Sequence, residues 1–185
     1  MGSQLETLAD EFRAVNDRAK ALVELAGVAR LTTRPAKGGW SIAECLEHLN
    51  MTTRAFLPRW RAALAKASPG DGPYRADFWG KLLAWTLEPP PRFRMPTTPA
   101  FEQIKTPPPE QVLSAFLTCQ DELLAVIASA RGLALDRVKI RSPFQEKMQY
   151  SVWSSFRISA AHHRRHLWQA ERVMVLTAPA NLMHH

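Results

Sequence analysis

Ser41-Ile42-Ala43-Glu44 opens the run SIAECLEHLNMTTRAFLPRWRAALAKA, residues 41–67. A serine with a glutamate three residues on, just before an apolar stretch, is a capping box that starts a helix. Ile42, Leu46, Leu49, Thr53, Phe56, Leu57, Trp60 and Leu64 then recur at helical spacing and form one stripe. The spacing predicts a helix from Ser41 to about Ala67, with a kink or break at Pro58.

The flanks extend the same pattern. Leu5, Leu8, Phe12, Val15, Ala19, Leu22 and Ala26 make a first amphipathic helix over 4–26, with Gly27 where a helix would stop. Residues 28–40 read as a loop closed by Gly38-Gly39-Trp40. After the turn residues 68–73 comes a short helix around Asp77–Trp85, ended by Pro89-Pro90-Pro91. Eight of the 14 prolines fall between 89 and 109, which excludes a regular helix there and predicts a crossover. Pro109 and Glu110 suit the first turn of a helix over about 110–130, whose face is Leu113, Phe116, Leu123, Leu124 and Ile127. Residues 133–149 are ambiguous, with Val138 and Ile140 alternating with charge; a last helix spans about 151–176. Amphipathic helices without a convincing strand pair predict an all-α bundle, one domain over residues 1–185.

Composition narrows the class. Apolar residues make up 46% and charged residues 22% of the 185, so the chain can bury a core without cross-links. Two cysteines, Cys45 and Cys119, rule out a disulfide scaffold. No apolar run near the membrane-spanning length and no basic-then-apolar start is apparent, so a soluble cytoplasmic protein is expected. The net charge is +7, carried mainly by residues 54–109, where 9 basic and 4 acidic residues leave +5. That segment could attract an anionic small molecule. Nucleic acid is not the expected partner, because the basic residues are scattered and no aromatic-plus-glycine or zinc-finger pattern accompanies them.

Candidate chemistry lies in the histidines. His162 and His166, one turn apart, project about 40° from each other on the last helix, in the sector of Val152, Phe156, Ala170, Val173 and Met174. Imidazoles at i and i+4 on one face can hold one metal ion; a core pair bonded to backbone or carboxylate is the other reading. His163 also leans to the apolar side, so a 163/166 pair is a rival register. His48 falls on the flank of its helix by periodicity. Position 163 is histidine, not the glutamate of a zincin protease, and no nucleophile elbow, phosphate-cradling loop or dinucleotide fingerprint is present.

Gly39-Trp40-Ser41-Ile42-Ala43-Glu44, followed by His48-Leu49, resembles the second-helix signature of the DinB/YfiT-like family, and His162-His163-Arg164-Arg165-His166-Leu167-Trp168-Gln169 is similar to its C-terminal motif. The run with Pro96-Thr97-Thr98-Pro99 and Phe101 resembles a subgroup of the same family. The resemblance implies an up-down-down-up four-helix bundle, often a homodimer, with a divalent metal on His48, His162 and His166. Gln169, aligned with the family's glutamine, leaves His163 outside the set. It also implies a thiol-dependent transferase or isomerase using a low-molecular-weight thiol.

Three neutral imidazoles leave a cation, zinc or nickel foremost, with open coordination positions, the mark of a catalytic rather than a structural site. The expected reaction is transfer of a small thiol; the alternatives are hydrolysis by bound water, or a non-catalytic module that binds an anion or a partner. Ser159, Gln169 and Arg165 are candidates for contact with a small, anionic substrate or for orienting the ligands, as is Trp40 for walling the pocket. Glu44 is explained by the cap, and Cys45 as a small buried hydrophobe.

Overall fold

The structure is a computed structural model that describes residues 3–90 and 104–178. Residues 91–103 of the proline-rich crossover, with Pro96, Pro99 and Phe101, lie outside the described residues, as do His184 and His185.

Helix α1 spans Gln4–Leu31, α2 Ile42–Leu64, α3 Phe78–Leu87, α4 Val112–Ser129 and α5 Val152–Leu176. A short 3-10 turn, Pro109–Gln111, leads into α4. The predicted capping box of Ser41 with Glu44 starts α2, and Ser3 with Glu6, which the sequence reading did not single out, forms another on α1.

Side-chain pairings fix the directions. Along α1 and α5, Glu11 meets Arg157 and Arg18 meets Glu171, so the two run parallel. Along α2 and α4, the backbone of Asn50 meets Cys119 and Arg61 meets Glu122, again parallel. Between α2 and α5, His48 meets His162 and Trp60 meets Ser155, which is antiparallel. The order along the chain is therefore up-down-down-up, with α3 inserted against α5.

Two apolar clusters stack along the bundle. One end joins Leu8 and Phe12 of α1, Trp60 of α2, Leu123 and Ile127 of α4 and Phe156 of α5. The other joins Ala19 and Leu22, Leu46 and Leu49, Phe116, and Leu167 and Ala170. Each large side chain buried this fully contributes about 1.5–3 kcal/mol.

Four expectations are corrected. Gly27 does interrupt α1 (φ 65°), yet helix resumes to Leu31, whose buried side chain anchors the last turn. Pro58 does not break α2: it lies on the exposed side with Arg54, so the carbonyl that loses its partner faces water while Phe56, Leu57 and Trp60 hold the inner face. The extended piece that the alternation at Val138 and Ile140 allowed is β1 (Lys139–Arg141), and it does find a partner: β2 (Gln149–Ser151) pairs with it antiparallel, with Ile140 opposite Tyr150. Finally, Pro109–Ser129 is long and apolar enough to cross a membrane, although no such run was expected; Val112, Phe116, Leu123 and Ile127 turn that character into the bundle core.

Candidate metal centre

The site lies where the start of α2 meets the middle of α5. Gly38 and Gly39 adopt left-handed conformations (φ 85° and 110°) that side chains resist, and they turn the chain so that Trp40 and the Ser41 cap meet α2. Glu44 caps the helix by accepting from the Ser41 backbone N–H at 2.8 Å, and it also pairs with Arg34. Desolvation opposes ionisation of Glu44, but Arg34 and the Ser41 donors together hold its carboxyl below the usual range. These contacts fix the loop and the helix start one turn ahead of His48.

His48, His162 and His166 converge. Each offers one ring nitrogen, and the three nitrogens lie within 4.8 Å of one another. The Nε2 atoms of His48 and His162 are 3.2 Å apart. Ring centroids are 4.4 Å apart for His48 and His166, and 4.5 Å for His162 and His166. Trp40 covers the group, tilted 4.8 Å from His48 and stacked 5.6 Å from His166.

These residues fit a divalent cation. Two ligand nitrogens at ~2.0–2.1 Å from a tetrahedral ion stand about 3.3 Å apart, close to the His48–His162 spacing. The buried Nδ1 of His166 has no hydrogen-bond partner among the described residues. The imidazoles are also in the right protonation state. Burial, with His163 as a lesser cause, pushes His48 down to about 4. Burial first, then the neighbouring imidazoles and Arg165, hold His162 and His166 well below their ordinary value. Neutral imidazoles are ligands; protonated ones are not.

His163 belongs to a different network. Fully buried, it donates from Nδ1 to the Ser159 carbonyl (2.8 Å), so its Nε2 is left to accept from Gln120 Nε2 at 3.1 Å, with Thr53 Oγ1 at 3.4 Å. Its ring stands edge-on to Phe12, 5.1 Å away. The 163/166 register is therefore not the one that forms the cluster. Arg164 is likewise engaged elsewhere, by Glu11 and Glu88. Cys45 is buried and its thiol is pushed up, chiefly by desolvation.

A cavity of about 460 Å³ opens beside the histidines. Trp40, Ser159, Arg165 and Gln169, the other residues singled out from the sequence, all line it. Its outer walls come from residues the sequence did not flag: Leu83 and Leu87 of α3, and Phe144 and Met148 of the β1–β2 connection. The alternation at Val138 and Ile140 was the only hint of that connection.

The fold is a helical bundle in which three histidines that could hold a metal ion converge beside a small cavity. The chain belongs to the DinB superfamily, whose family model matches residues 11–170. It is similar in structure to YfiT from Bacillus subtilis, described as a probable metal-dependent hydrolase with an unusual four-helix bundle topology. That likeness has a TM-score of 0.59 at 15% sequence identity and covers 92% of this chain and 85% of the other. No curated protein matches the sequence.

Proposed function

We propose that the protein is a metal-dependent enzyme that joins a small thiol to an apolar electrophile. One observation carries the reading: three neutral imidazoles converge at a cavity that, among the described residues, has no carboxylate in its lining. Water on a cation held there would ionise near ~7, but hydrolysis also calls for a group to protonate the leaving group, and among the described residues no carboxylate lines the cavity to supply that proton. A thiol ionises near ~8.5 and needs far less help. A divalent cation held by His48, His162 and His166 supplies Lewis acidity and favours the ionised form of a thiol that it binds.

The chain's own residues do the rest. Trp40 holds the imidazole planes of His48 and His166 in place and shields them on one side. Phe56, Leu83, Leu87 and Met148 exclude water from the cavity and receive an apolar electrophile. Hydrolysis is the second reading, favoured by the description of YfiT.

The test is an assay of protein loaded with zinc or nickel, offered a panel of low-molecular-weight thiols and a chloronitrobenzene. In the expected reaction a C–S bond forms, the C–Cl bond breaks, and chloride and the thiol proton leave to solvent. The rate should require thiol and vanish in His48→Ala. A metal-dependent turnover of activated esters without thiol would instead establish the hydrolase; neither activity would remove the enzymatic reading.

A further inference from the structure

We propose that the cavity is a slot for a slender, unbranched apolar chain, and that Phe144, packed against Phe56 at the far end, sets how long that chain can be. The proposal deepens the enzymatic reading by naming the shape of the electrophile, and it rests on that reading only in making the chain part of a substrate.

The lining residues define a long axis. On α2 they are His48, Thr52 and Phe56, at i, i+4 and i+8, so one face of that helix follows the cavity for about 12 Å at ~1.5 Å per residue. On α5 they run from Gln169 past the histidines to Ile158, about 16 Å by the same rise. The two helices are antiparallel, so Phe56 and Ile158 lie at the same end, away from the histidines. Leu83 and Leu87, one turn apart on α3, supply a third wall. A volume of about 460 Å³ drawn out over such a length is a slot, not a rounded bowl.

The chemistry of the occupant follows from what lines the slot beyond the histidines. The polar groups Thr52, Ser142 and Tyr150 are satisfied by the protein itself. Thr52 donates to the Leu49 carbonyl at 3.0 Å, Ser142 accepts from the backbone N–H groups of Phe144 and Gln145, and the Tyr150 hydroxyl is bonded to Ser142. The apolar walls there are Phe56, Met148 and Ile158, against which a polar group of the occupant would go unpaired at a cost. Phe144 stands edge-on to Phe56 with ring centroids 5.7 Å apart. It belongs to the β1–β2 connection and is 39% exposed, so it can be replaced without opening the core. An extended chain with C–C bonds of ~1.52 Å advances about 1.25 Å per carbon, so the 12 Å or so from the histidines to this pair takes about ten carbons.

Calorimetric titration of the metal-free protein tests this without any catalysis. The probes are the straight-chain 1-alkanols from butanol to dodecanol, whose uncharged heads leave length as the variable, and 1-adamantanol, which packs ten carbons into a compact cage. Each added methylene should tighten binding about fourfold up to about ten carbons, and longer chains should gain nothing. 1-Adamantanol should bind at least about tenfold more weakly than 1-decanol, because its width overpacks the slot. Phe144→Ala should move the break outward, so that 1-dodecanol binds more tightly than 1-decanol. Leu83→Trp, which narrows the slot from α3, should weaken 1-octanol and 1-decanol at least about tenfold, and serves if Phe144→Ala does not fold. Wild-type affinity that keeps rising through 1-dodecanol, that ignores chain length, or that is equal for 1-decanol and 1-adamantanol would overturn the proposal. So would a break left in place by Phe144→Ala, or chain binding untouched by Leu83→Trp. Metal uptake and the thiol assay on the same samples separate the two claims. A length break in a protein with neither metal nor thiol-dependent rate sinks the enzymatic reading and leaves the slot standing; a thiol-dependent rate with no length dependence does the reverse.

Discussion

His48 shows how a side chain that periodicity places on a flank becomes part of a centre. Residues 41–50 are all buried, so the first turns of α2 have no solvent side, and the angle from the apolar stripe says nothing about exposure. What distinguishes His48 from its buried neighbours is that its ring meets two other imidazoles. Three ring nitrogens within 4.8 Å of one another could hold one cation, and each would then be needed. His48→Ala or His166→Ala should cut metal affinity by at least about tenfold, a loss that second-shell partners alone can reach, and elemental analysis should fall from one metal per chain toward none. His163→Ala separates ligation from packing. It strands Gln120 and Thr53 in the core and should cost about 1–3 kcal/mol of stability, yet metal content should stay at one per chain. Loss of metal in that variant, with the fold intact, would mean that the ligand set is wrongly drawn.

Helices α3 and α5 are coupled at their starts. Asp77 caps α3 through Gly80 N–H at 2.9 Å and also accepts from the Ser151 backbone N–H, while Ser154 Oγ accepts from Asp77 N–H at 2.9 Å. The helices meet so closely that a Cβ on Gly80 would lie 2.3 Å from Ser154 Oγ and 2.4 Å from its Cβ. Gly80→Ala therefore forces α3 outward. Overpacking of this kind costs about 1–3 kcal/mol, and the displaced Leu83 and Leu87 should take the cavity wall with them. Thermal unfolding should occur at lower temperature while metal uptake stays, because no histidine is on α3. None of this closeness was legible beforehand: a glycine at the third position of a short helix carries no mark of its neighbour. The four long helices were legible because each buries a stripe whose period is set by its own geometry, and His162 with His166 followed from the same rule. The β1–β2 pairing was not, because Ile140 gains its partner Tyr150 only across a loop, and three-residue strands carry too few alternations. His48 entered through resemblance, not through periodicity.

The bundle keeps four histidines neutral in its interior, and this sets how the whole fold answers to acid. His48 and His163 are pushed down to about 4, chiefly by burial, and His162 and His166 are held well below their ordinary value for the same first reason. In the unfolded chain all four recover an ordinary pKa of about 6.5. The sign follows: below about 6.5 the unfolded chain takes up protons that the fold refuses, so acid favours unfolding. The stability contributed by neutral burial is complete above about pH 6.5 and is lost as pH falls toward 4. Each histidine involved adds a slope of about 1.4 kcal/mol per pH unit inside that window. The depressed carboxyl of Glu44 contributes stability that is lost only from about pH 5 downward, so a loss between pH 7.5 and 6.0 does not come from it. Urea unfolding of metal-free protein at pH 7.5, 6.0 and 5.0 should give steadily falling stability. His48→Ala should flatten the slope by about one proton relative to wild type. A divalent metal should raise stability most at pH 7.5, because the protons that destabilise the empty fold also compete for its ligands. Stability that is flat or rises between pH 7.5 and 5.0 would show that these imidazoles are hydrated or charged in the native protein, and would remove the neutral donor set on which metal binding depends.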